Sequence, residues 1–148
     1  MIQDFIDNKF YLLLYFISII YAHIFADYHL QGILINLKHR SYWDDITEDL
    51  DEESKDFYIN DYRCPLSAHA FEWSLFIHLP ILFIIFKYNI DIEMWIFLVS
   101  FIFNYITHKI VDDKRVNEYT INFSNSHYFH LFQCIDTGIL WLFVFINK

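Results

Sequence analysis

The chain has 148 residues, is 56% hydrophobic and 22% aromatic, and contains only two glycines and two prolines. It is too short for two ordinary soluble domains and too apolar for one, so a single membrane domain over residues 1–148 is expected. The net charge of -9 repels DNA and anionic headgroups and speaks against nucleic acid as a partner.

Four apolar stretches carry that reading: residues 10–26, 70–86, 94–111 and 128–146. Each approaches the roughly 20 residues a helix needs to cross the hydrocarbon core, and none alternates as a strand would. The predicted fold is all-α, a polytopic membrane protein with four transmembrane helices in an up-down-up-down bundle.

The first stretch is preceded by Asp4, Asp7 and Lys9, which is not a positive leader, and no small-x-small cleavage site follows. It is therefore read as a retained span. It closes on His23 and Asp27, whose four-residue spacing puts both on one helix face about one turn apart. Gln31 extends that face and Lys38 follows two turns on, so the helix is expected to continue past the membrane.

Residues 38–64 form the only long soluble piece, an acidic insertion between the first two spans. Residues 44–61 hold Asp44, Asp45, Glu48, Asp49, Asp51, Glu52, Glu53, Asp56 and Asp61 against a lone Lys55. Such runs are solvated loops or short exposed helices, or a docking surface for a basic protein partner. No D-x-D-x-D-G calcium loop is present.

His69 and Glu72 open the second span, His108 and Asp112 close the third, and His127, His130 and Asp136 open the fourth. In an up-down-up-down bundle all of these share one end with His23 and Asp27. Ionisable groups at membrane depth are costly and mark functional sites. His78 beside Pro80 is expected to bond a freed carbonyl, and His29 and His39 are read as interface residues. Cys64 and Cys134 are far apart and form no C-x-x-C pair. Lys9, Lys87 and Lys148 lie on the side of the termini. Lys38, Arg40, Lys55, Arg63, Lys109, Lys114 and Arg115 lie on the other. The positive-inside rule then puts both termini outside and the acidic insertion in the cytoplasm.

Neutral imidazole with carboxylate suits zinc, manganese or ferrous iron, and a catalytic zinc needs three protein ligands plus an open position. The expected metal ligands are His23, Asp27, His108 and Asp112. His69 or Asp136 completes the shell or acts as general base, and Gln31 with Lys38 positions an anionic group. A hydrogen bond tying each His–Asp pair at a helix end is the plainer alternative.

The run Ala22-His23-Ile24-Phe25-Ala26-Asp27-Tyr28-His29-Leu30-Gln31, followed by Lys38, resembles the H-x-x-x-D-[FY]-x-L-Q…K signature of an uncharacterised family of small bacterial and phage integral membrane proteins. In that family a histidine opening the second span and an H-x-x-x-D near the end of the third recur, matching His69 and His108/Asp112. The last span of the family carries D-Q-x-x-H where this chain has Phe132-Gln133-Cys134-Ile135-Asp136. Gln133 is kept, while Asp136 stands in the imidazole position with His130 as a substitute. The distant likeness of that family to membrane-bound metal-dependent hydrolases is an analogy of fold and residue type.

Three functional expectations follow. The first is a membrane-embedded metal-dependent hydrolase with its His/Asp site at the cytoplasmic membrane boundary, cleaving a phosphoester of a lipid or small nucleotide. The second is a non-catalytic membrane adaptor or phage host-interaction protein whose acidic loop binds a basic partner. The third holds haem between histidines on facing helices. A homo-oligomer is compatible with each.

Overall fold

The computed structural model describes residues 2–147 and is 80% helical, with no strand among the described residues. The helices in chain order are α1 (Ile2–Asp7), α2 (Lys9–Tyr28), α3 (Leu34–Leu37), α4 (Arg40–Ile46), α5 (Glu52–Tyr58), α6 (Arg63–Tyr88), α7 (Met94–Val116) and α8 (Phe123–Ile146). Four are long and apolar enough to cross a membrane: α2, α6, α7 and α8.

All four overrun the apolar stretches, three of them by more than one turn at the polar end. α6 begins at Arg63, α7 ends at Val116 and α8 begins at Phe123. A helix continues through polar residues until a cap satisfies its end groups, whatever the hydropathy. At the start of α8 the cap is Asn122, whose side chain accepts the Asn125 N–H at 2.8 Å. The added turns carry His69, Asp112 and His127.

α2 overruns least. It stops at Tyr28, so the expected continuation through Gln31 to Lys38 does not occur. Gly32 adopts a φ of +47, a left-handed conformation that glycine takes without a Cβ clash. The Gln31 side-chain amide donates to the Asp27 carbonyl, one of the acceptors a helix leaves open at its C-terminus. The chain then turns back through α3, and Asn117 at the end of α7 pins it there. The Asn117 Nδ2 donates to the Lys38 carbonyl at 3.2 Å, and its Oδ1 accepts the Arg40 N–H at 2.7 Å.

The acidic insertion forms two short helices, α4 and α5, whose acidic residues are exposed. Asp51 caps α5 by accepting the Ser54 N–H at 2.8 Å, and that bond holds its carboxyl below the usual range.

α2 packs on α6 and α8, and α7 packs on the same two helices. Ala22 and Ala26 of α2 and Ala70 of α6 are buried, and small residues let helix backbones approach closely. Large apolar side chains such as Leu13, Ile17, Phe83, Phe103 and Phe143 point outward instead. The apolar core gathers Tyr15, Ile19, Ile77, Ile81, Trp141 and Phe145.

Between core and polar end lies a hydrogen-bonded network across α6, α7 and α8. Trp141 Nε1 donates to Ser100 Oγ at 3.1 Å, so the Ser100 hydroxyl is free to donate to His78 Nε2 at 2.9 Å. His78 Nδ1 then donates to the Ser74 carbonyl at 2.7 Å, whereas the carbonyl that Pro80 leaves without its helical donor is that of Phe76, so the bond formed is not the expected one to a freed carbonyl. Gln133 Nε2 donates to Asn104 Oδ1 at 2.8 Å and to Thr107 Oγ1 at 2.7 Å.

Candidate metal centre

The buried residues of α7 include Ser100, Asn104, His108, Asp112 and Val116, four residues apart and therefore in one row. That row is almost wholly polar, the reverse of a soluble helix, because its other faces carry the apolar exposed side chains. His108 and Asp112 thus point inward between α6 and α8. His69 of α6, His23 and Asp27 of α2, and His130 of α8 meet them there.

The closest approach is between imidazoles: His108 Nε2 lies 3.2 Å from His69 Nε2. Asp112 Oδ2 is 3.3 Å from His69 Nε2 and 3.9 Å from His108 Nε2. Asp27 Oδ1 is 3.6 Å from His69 Nε2 and 3.8 Å from His108 Nε2. Donors around a tetrahedral zinc with bonds near 2.0–2.1 Å stand about 3.3 Å apart, and Asp27, His69 and His108 form one group of possible ligands with Asp112 Oδ2 beside both imidazoles. Asp27 Oδ1 is buried without a hydrogen-bond partner, as a donor set awaiting a cation would leave it. The His69 and His108 rings are 5.1 Å apart at 64°.

Asp112 is the hub. Lys38 Nζ donates to its Oδ2 at 2.9 Å and the Arg115 guanidinium to its Oδ1 at 2.6 Å. Lys38 is only 1% exposed. Burial lowers the Lys38 ammonium from its ordinary value while Asp112 pulls it back up. Formally, the charges of Lys38 and Arg115 offset those of Asp27 and Asp112. A divalent ion would leave the site positive.

His23 has a different role from that expected. Trp73 Nε1 donates to its Nδ1 at 2.8 Å. Indole can only donate, so that Nδ1 carries a lone pair and the proton of the neutral ring sits on Nε2. In this tautomer Nδ1 is held by Trp73 and the buried Nε2 carries the proton without a hydrogen-bond partner, so His23, which groups with Asp27 and His127 as a possible ligand, binds a metal only by giving up the indole bond; Asp27 Oδ2 lies 3.3 Å from Nδ1.

A cavity of 520 Å³ opens beside the cluster, and Asp27, Asp112, Arg115, His127, His130 and His39 are among its lining residues. His39 is lowered from its ordinary value by burial, then by the charges of Lys38 and Arg115.

Of the predicted site residues, Asp27, His69, His108 and Asp112 converge, and His23 lies beside them in the grip of Trp73. Lys38 reaches the centre, but its ammonium is taken by Asp112. Gln31 serves the end of α2. Asp136 is exposed on α8, away from the face that carries His130 and Gln133, so it neither completes the shell nor acts as its base. The His130 spacing decides this: positions 130, 133, 134 and 137 share the buried stripe, and 136 falls outside it. Trp73 and Arg115 complete the surroundings. Their signal was weak, since an indole or guanidinium three or four residues from a histidine or acid is common on any helix. Comparison with protein-family profiles, with curated proteins and with solved structures gives no match.

Proposed function

We propose that this protein is a membrane-embedded, metal-dependent hydrolase that cleaves a phosphoester of a lipid or a small nucleotide at the cytoplasmic membrane boundary. One observation carries the reading: Asp27 Oδ1, His69 Nε2, His108 Nε2 and Asp112 Oδ2, from three helices, stand within 3.2 to 3.9 Å along each pair of contacts named above. Mixed imidazole and carboxylate donors favour zinc, manganese or ferrous iron, which when bound polarises a phosphoryl oxygen and eases loss of a proton from water. The chain supplies the rest. Lys38 and Arg115 orient Asp112, and Arg115 also sets a fixed positive charge on the cavity wall where an anionic group would enter. His39, lowered toward its neutral form and on the same wall, is available to take up a proton.

In this reading α2, α6, α7 and α8 cross the bilayer in alternate directions as a four-helix bundle, with both termini outside and the acidic insertion in the cytoplasm. The meeting of the last turns of α2 and α7 with the first turns of α6 and α8 supports the alternation. The excess of Lys and Arg beside the insertion supports the orientation.

Elemental analysis of gently extracted protein tests the reading. At least one zinc, manganese or iron per chain is expected, with metal lost in His69→Ala and in His108→Ala and phosphoesterase activity lost on chelation. A wild-type protein that stays metal-free after exposure to each ion ends it.

A further inference from the structure

Asp27 and Asp112 each hold two oxygens, and the inner donor set uses one from each. We infer that the remaining oxygens belong to a second cation position on the cavity side of the first, completed by His127 and His130, so that the centre takes two ions bridged by both carboxylates. This rests on the metal-dependent reading above and adds to it the number of ions and the kind of phosphoester.

Three overlapping groups of possible ligands stand here: Asp27 with His69 and His108, His108 with Asp112 and His130, and Asp27 with His23 and His127. His69 and His108 are buried and do not line the cavity, whereas Asp27, Asp112, His127 and His130 all do. Asp112 Oδ2 turns toward His69, while its Oδ1 lies 3.7 Å from His130 Nε2. Asp27 Oδ1 turns toward His69 and His108, its Oδ2 lies 3.3 Å from His23 Nδ1, and Asp27 and His127 offer donor atoms within 4.8 Å of each other in a group that includes His23. His127 and His130 are three residues apart on α8, on neighbouring parts of one face.

His130 provides the independent sign. It is 3% exposed, neither ring nitrogen has a hydrogen-bond partner within 3.5 Å, and Nε2 meets Asp112 Oδ1 only at the longer ion-pair distance of 3.7 Å. A buried imidazole pays for such isolation unless something binds it, and a cation between it and Asp112 Oδ1 removes the cost. The Arg115 bond to the same oxygen is compatible, because a carboxylate oxygen has two lone pairs. His23 stays outside the set for the reason Trp73 imposes.

Held by these residues, two ions would supply charge stabilisation to both the attacking and the leaving oxygen of a displacement at phosphorus. Their charge also selects the substrate. With Asp27 and Asp112 already offset by Lys38 and Arg115, two divalent ions leave a strong positive excess at the cavity floor. That excess fits a phosphoryl group carrying two negative charges, a phosphomonoester, better than a singly charged diester.

Manganese is the probe. The full-length protein in detergent is loaded with Mn²⁺, freed of excess ion, and measured by elemental analysis and electron paramagnetic resonance. Two Mn²⁺ per chain with an exchange-coupled spectrum are expected. In His130→Ala one Mn²⁺ per chain should remain, with the six-line spectrum of an isolated ion. One Mn²⁺ per chain and a six-line spectrum in the wild type would overturn the two-ion centre and leave the metal-dependent hydrolase standing. No bound Mn²⁺, zinc or iron overturns both. Because the wild-type spectrum decides by itself, a poorly folding variant does not block the test.

Discussion

At His23 and Lys38 the neighbouring side chain decides what the residue can do. The Trp73 indole takes the His23 lone pair, so His23→Ala should leave the bound metal in place, whereas His69→Ala and His108→Ala release it. Metal per chain in the three variants, determined side by side, checks the contrast, and loss in His23→Ala would refute the tautomer argument. Lys38 is a buried cation with a buried anionic partner. Breaking such a pair from one side leaves an uncompensated charge and costs about 3–5 kcal/mol. Lys38→Met should therefore lower the unfolding midpoint of metal-free protein in detergent. Excess zinc should recover part of the loss, since an ion at Asp112 replaces the missing ammonium and binding to the folded state stabilises it.

Among the helices, α7 and α8 are joined by the polar network as well as by packing. Asn104 bonds Gln133 and Thr137 of α8 and the Ser100 carbonyl of its own helix. Asn104→Leu strands those partners, and each buried group left unsatisfied costs about 1–3 kcal/mol. The expected result is a lower unfolding midpoint with metal still bound. α2 and α8 meet at Gly138, where an added Cβ would fall 2.7 Å from Phe16 Cε1 and the Tyr15 hydroxyl reaches the Gly138 carbonyl at 3.3 Å. Gly138→Leu should cost about 1–3 kcal/mol by overpacking, read in the same unfolding experiment. Unchanged stability would mean that α2 and α8 are further apart.

For the whole molecule, the acidic insertion is separate from the residues that could hold a metal. α4 and α5 carry acidic side chains into solvent and contribute no donor atom to the cluster. Deleting residues 44–61 should leave metal per chain unchanged, and an adaptor working through that surface would lose its partner instead. Tagging the two termini for protease protection in vesicles tests the alternation of the spans: both ends should be reached from the same side.

The four long helices were legible in the amino-acid order because hydrocarbon demands about 20 apolar residues per crossing, a requirement visible without any neighbour. The two His-x-x-x-Asp pairs and His69 were legible for a related reason: polar groups in apolar segments stand out against their background. Helix ends were less so, since α6, α7 and α8 run on into polar sequence, and α2 ends at Tyr28, before the left-handed Gly32 turns the chain back. Which nitrogen of His23 carries a proton and whether Lys38 is free depend on partners 50 or more positions away, Trp73 and Asp112, and whether His130 or Asp136 faces inward depends on which stripe of α8 the other helices cover. Residue type and spacing establish what a side chain is able to do. Only the packing of α2, α6, α7 and α8 assigns each one its partner, because direction and distance exist only once the helices are together.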